Sequence, residues 1–133
     1  MKNLEPVFDM VNKLIIEEVP KQLEWIDKAI NDGIITEHFN NKNIEEKCSV
    51  YPCFECEIKE IEQSEKDRII ETTKLEFIFN FKFNENTYKL KTKLFRYQAA
   101  FENVFKQNKI ELWHYRFLRM TPLTQVRLVL EIE

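Results

Sequence analysis

From Leu75 to Phe83 every odd position is apolar: Leu75, Phe77, Phe79, Phe81 and Phe83. Lys74, Glu76, Asn80 and Lys82 fall between them. A period of two marks an extended chain with one face buried and one face in water. A strand with so aromatic a face needs a broad apolar cover. The segment that follows has the right pattern. Across residues 86–107, Leu90, Leu94, Tyr97, Phe101, Val104 and Phe105 recur at three- and four-residue steps, the spacing of one helical face. Asn84 or Asn86 is placed to cap its start.

The other elements are read in the same way. Leu4, Val7, Phe8, Val11, Leu14 and Ile15 form a helical stripe near the N-terminus. Pro20 lacks an amide donor and is expected to break or kink that helix. A second piece continues with Leu23, Trp25, Ile26, Ala29 and Ile30, and Asp32-Gly33 is a natural stop. Residues 36–47 are polar and Asn-rich, the composition of a loop. Residues 49–61 predict a strand carrying Val50, Tyr51, Phe54, Cys56 and Ile58, with a polar turn at Gln63–Asp67. Ile110 to Met120 reads as extended and broken at Thr121-Pro122. Val126, Leu128, Leu130 and Ile132 then alternate along a final strand. The order is α-β-β-α-β-β. It predicts an α+β fold in which an antiparallel sheet of about four strands packs against an N-terminal helical segment and one amphipathic helix.

The chain has 133 residues, of which 44% are hydrophobic, enough for the core of a single domain spanning 1–133. Charges interrupt every apolar run before it reaches the roughly 18 residues that a membrane helix needs. The first residues lack a basic segment followed by an apolar one, so no secretory signal is expected and the cytoplasm is the expected compartment. Gly33 is the sole glycine. That excludes Walker A and GxGxxG loops, which need several glycines to bring backbone close to phosphate. Asn is expected to take some of the turn positions that glycine would fill, since it tolerates left-handed backbone. The net charge of −3 is unevenly spread. Residues 1–67 carry 8 Lys/Arg against 16 Asp/Glu, a net of −8; residues 68–133 carry 12 against 7, a net of +5. Such asymmetry either reflects different solvated faces exposed by helices and strands or gives one domain opposite potentials, which favour association of unlike surfaces.

No constellation for catalysis emerges, and no enzyme is expected. Cys48, Cys53 and Cys56 make a single CxxC with no fourth ligand, and an odd spacing within a strand sends its two thiols to opposite faces. Neither a metal site nor a redox pair is expected, and all three are read as reduced thiols. His38 falls in a loop and His114 in a strand, with no adjacent nucleophile to activate. Glu55, Glu57, Glu60 and Glu62 read as a solvated acidic face, with Glu55 and Glu57 on one side of their strand. Lys89, Lys91, Lys93 and Arg96, with Arg116, Arg119 and Arg127, form a basic set, while Phe95 and Phe101 sit at spacings of a core. That pattern favours passive contact with a phosphate backbone over base recognition.

Taken together, the order and spacing resemble the tail terminator, tail completion and head–tail joining proteins of long-tailed phages and prophages. The resemblance runs through the opening helix, Tyr51-Pro52-Cys53-Phe54 at the first strand, and the acidic hairpin. It continues through Lys74-Leu75-Glu76-Phe77-Ile78-Phe79, the helix at 86–107 and the closing alternation Val126–Ile132. It implies a structural protein without cofactor or catalysis. Such subunits assemble into a ring, commonly six-fold, that caps the tail tube and joins it to the capsid. The implied partners are further copies of the chain, the tail tube and head-connector proteins, with no membrane. The implied setting is the host cytoplasm during assembly and then the virion. On that reading Glu60, Glu62, Lys66 and Arg68 are hairpin residues that reach a neighbour, and Lys89, Lys91 and Lys93 line a channel crossed by DNA. The alternative is a small α+β binding module, with a ligand or partner protein held in a cavity beneath Phe77, Phe79 and Phe81.

Overall fold

The computed structural model describes residues 3–66, 70–108, 113–119 and 123–132. The N-terminal 26 residues of regular structure form one helical run. It comprises α1 (Glu5–Lys13), a π-helical turn (Leu14–Glu18) and α2 (Val19–Ile30). Four strands follow the order anticipated, with one helix between the two pairs. They are β1 (Cys53–Lys66), β2 (Ile70–Lys82), α3 (Leu90–Gln107), β3 (Trp113–Arg119) and β4 (Gln125–Ile132). The sheet is antiparallel throughout, in the order β1-β2-β4-β3. The fold is therefore α+β, as the pattern of elements predicts.

Pro20 does not end the first helix. It stands in the first turn of α2, directly after the π turn. The wider π turn before it keeps the ring clear of the upstream carbonyl, so the run continues past the missing amide. Val7, Val11, Leu14, Ile15, Val19, Leu23 and Ile26 are buried along one side of the run. Trp25 and Ile30, expected to join that stripe, are exposed instead. The helix stops at Asn31, whose φ of 51° is left-handed, one residue ahead of the expected Asp32-Gly33 stop. Asn thus occupies the position that glycine usually takes.

β2 behaves as its alternation requires. Thr73, Leu75, Phe77, Phe79 and Phe81 are buried, and the residues between them lie on the opposite face. Those odd positions face β4's buried Val126, Leu128, Leu130 and Ile132 in register, Phe77 opposite Leu128 and Phe79 opposite Val126. Helix α3 covers this face. Phe101 stacks edge-on against Phe79 at 5.1 Å and against Phe81 at 5.2 Å between ring centroids. The space beneath Phe79 and Phe81, where a binding module would keep a cavity, holds Phe39, Phe54, Tyr97 and Phe101.

Several boundaries differ from expectation. α3 begins at Leu90, and its cap position is the left-handed Lys89, with no side-chain capping bond from Asn84 or Asn86. The Asn84 carbonyl instead accepts hydrogen bonds from the Thr87 amide and hydroxyl and closes a separate turn. Phe95 is half exposed, on the outer side of α3, although its spacing suggested the core. β1 starts later than anticipated, so Val50 and Tyr51 sit exposed in the preceding loop. It also continues through Gln63–Lys66, where a turn was expected, because β2 pairs with it that far. The expected break at Thr121-Pro122 lies outside the described residues.

Candidate interaction surface

The feature that departs most from a closed sandwich is the β1–β2 hairpin. Among the described residues β2 pairs with β4 from Thr73 to Asn80. On its other side it stays paired with β1 as far as Ser64–Thr72, Glu65–Glu71 and Lys66–Ile70. Those three pairs form a two-stranded arm that runs about 10 Å past Ile132, the last described residue of β4. A two-stranded ribbon is marginal in water unless something packs on it.

A register shift between Glu60 and Glu62 marks the root of this arm. Glu60 pairs with Leu75 and Glu62 with Lys74, so the ladder loses one residue of step between them. Lys66 is placed at the arm's far end by its backbone, and Arg68 lies outside the described residues. Glu55 and Glu57 do share the open face, opposite Asn80 and Ile78.

The three lysines expected to act together do not form one surface. Lys89 and Lys91 are exposed, with the Lys89 ammonium 5.9 Å from the Tyr88 ring centroid. Lys93 turns inward. It is 4% exposed, and its Nζ donates to Glu37 Oε1 at 2.9 Å. Glu37, Lys93, Phe83 and Tyr88 line an open cleft of about 700 Å³ at the N-terminal end of α3. The Glu37 carbonyl also accepts a hydrogen bond from the Tyr97 hydroxyl, and burial raises the pKa of that phenol.

Arg96 is buried as well. Its Nη1 donates to Asp27 Oδ1 at 3.0 Å and to the Ile34 carbonyl at 3.0 Å, and its Nη2 donates to Asp32 Oδ2. The Ile34 amide, with the Arg96 guanidinium, holds the Asp32 carboxyl below its ordinary value of 3.8. Of the remaining arginines, Arg119 pairs with Glu102 and Arg127 with Glu76. Arg116 is exposed on β3 and makes no ion pair among the described residues.

The cysteines differ from the expectation of three thiols. Cys48 and Cys53 form a disulfide, their Cα atoms 5.5 Å apart, inside the range such a bond requires. The loop between them doubles back before β1, which spacing alone does not show. Cys53 and Cys56 point to opposite faces, as their odd spacing demands. Cys56 stays free on the helix side, and burial pushes its thiol up to about 12. Among the described residues no group of three His, Cys, Asp or Glu side chains is arranged to hold a metal. No described helix is long and apolar enough to cross a membrane.

No protein-family model, curated protein or solved structure matches this chain. Sequence reasoning missed one residue that shapes the surface. Asn41 binds the second residue of β1 through both ends of its carboxamide: Nδ2 donates to the Phe54 carbonyl at 2.8 Å, and Oδ1 accepts the Phe54 amide at 2.9 Å. Arg116, exposed on β3, makes no ion pair among the described residues. Asn41 carries no signal within an Asn-rich loop, whereas Arg116 already stood in the basic set read from the sequence.

Proposed function

We propose that this chain is a structural subunit of a long-tailed phage or prophage particle, assembling as an oligomeric ring that caps the tail tube or joins the tail to the capsid. The observation that carries this reading is the β1–β2 arm extending past β4. A ribbon with no third strand is stabilised by packing against another surface, and an arm of this kind reaches beyond the body of its own subunit. The α-β-β-α-β-β order and the opposed charges of the two halves of the chain support the same reading. The partners are other copies of the chain, the tail tube and head-connector proteins. The subunit acts by binding and geometry, without a cofactor. Lys89 and Lys91 are the residues available for passive contact with passing DNA; Lys93 is engaged by Glu37.

Light scattering across a concentration series tests the proposal. The expected mass approaches six protomers, and electron images of that species show a ring with a central hole. A strict monomer throughout the series counts against it. Glu60→Lys and Glu62→Lys are expected to weaken assembly or tail joining, and variants that leave both intact remove the arm from the argument.

A further inference from the structure

We infer that neighbouring copies of this chain join by strand addition, the free edge of β1 in one subunit pairing antiparallel with the free edge of β3 in the next, with Glu57 opposite Arg116. This rests on the ring reading and names the contact that would close the ring.

β1 and β3 are the outer strands of the sheet, and each presents one edge that pairs with no strand among the described residues. The direction of the β1 edge follows from Asn41. Because Asn41 holds both the amide and the carbonyl of Phe54, those groups point away from β2. Alternate residues of a strand share that direction, so Cys56, Ile58 and Glu60 also aim their backbone groups outward. Asn41 occupies the edge at Phe54, so an added strand begins at Cys56.

The two edges complement each other on both faces. On the open face β1 presents exposed Glu55 and Glu57, and β3 presents exposed His114 and Arg116. On the helix-covered face β1 presents Cys56 and the partly exposed Ile58, and β3 presents half-buried Tyr115 and Phe117. Like edges do not match: β1 on β1 sets glutamates together, and β3 on β3 sets arginines together. Unlike edges therefore meet, and such a contact is head-to-tail, the kind that closes rings.

Direction and register follow. Through the order β1-β2-β4-β3, the two outer strands run in opposite senses. Rotation about an axis along the strands preserves strand sense and face, so the added pair is antiparallel. Starting at Cys56 opposite Phe117 sets Glu57 against Arg116, Ile58 against Tyr115 and Lys59 against His114. Shifting by two residues so that Ile58 meets Phe117 would place Lys59 against Arg116, a like-charge pair. The bond from Lys59 to Glu57, 3.3 Å long between half-exposed groups, is too weak to withhold Glu57 from a neighbour.

The test is molar mass by light scattering on the full chain, with circular dichroism to confirm folding. Glu57→Arg and Arg116→Glu are each expected to raise the concentration needed for assembly by about tenfold or more. The double charge reversal is expected to restore it. Ile58→Pro removes an outward amide and leaves the β1–β2 ladder intact, so it is expected to keep the monomer fold and abolish assembly. A ring indifferent to all of these variants overturns the edge pairing and leaves the ring reading standing. Single variants that disassemble without rescue by the double reversal overturn the Glu57–Arg116 register. A wild-type mass of two protomers overturns the head-to-tail contact, and a monomer at every concentration overturns both readings.

Discussion

Arg96 of α3 and Asp27 of α2 meet inside the fold, with Nη1 and Oδ1 3.0 Å apart. Asp27 also accepts the Thr36 amide and hydroxyl, each at 2.8 Å, so one carboxylate ties together two helices and the loop between α2 and β1. Removing one partner of a buried pair leaves the other charge desolvated and uncompensated. Arg96→Met is therefore expected to destabilise the chain by about 3–5 kcal/mol in chemical denaturation. Arg96→Lys is expected to recover little of this, because a single ammonium cannot reproduce the forked bonds to Asp27, Asp32 and the Ile34 carbonyl.

Asp32 makes the same region sensitive to acid. Its pKa is lowered by the Ile34 amide and by Arg96. A depressed carboxylate contributes stability above its unfolded value, near 4, and loses that contribution as the pH falls. Asp32→Asn is expected to be less stable than the wild type at pH 7. The gap should narrow on acidification toward pH 3. Urea midpoints at the two pH values check the sign.

Phe39 and Phe95 test whether position or residue type sets the contribution of an aromatic ring. Phe39 lies in the polar loop, yet its ring stands 4.4 Å from Tyr97 and also contacts Phe54, Phe81, Phe83 and Phe101. Phe39→Ala is expected to cost about 3 kcal/mol. Phe95→Ala, on the exposed side of α3, is expected to change stability by no more than about 0.5 kcal/mol. Paired thermal or urea melts decide.

Cys56 supplies a chemical probe. With its thiol pushed up to about 12 and its side chain packed under the helices, almost no thiolate exists at pH 8. Iodoacetamide is expected to leave the native protein essentially unmodified over minutes. In denaturant without reductant it should label one cysteine per chain, as read by mass spectrometry. Rapid native labelling would show that the β1 edge opens far more readily than its packing implies.

The strongly periodic segments were legible from the chain alone. The odd-numbered aromatics of β2, the alternation of β4 and the stripe of α3 are local patterns, since side-chain direction follows directly from backbone period. Those three patterns, with the N-terminal stripe, determined the fold class and which residues face the core. Where a pattern was short, other groups decided. Trp25, Ile30 and Phe95 fit a helical stripe yet face outward, because the apolar arc is set by what packs against it. Phe39 is the converse, an aromatic hidden among polar neighbours. The candidate surface was the least legible. Glu60 and Glu62 were singled out from the sequence, but the register shift between them depends on strand pairing. Lys93 looked like its exposed neighbours until Glu37, 56 residues away in sequence, claimed it.

What the sequence determined by itself is the set of elements and their buried faces, since those depend on periodicity within one segment. The tertiary structure decided which strands became edges, how far the described arm outruns β4, and which charges pair across the fold. Each of these arises from residues distant along the chain meeting in space, and no local spacing encodes such a meeting.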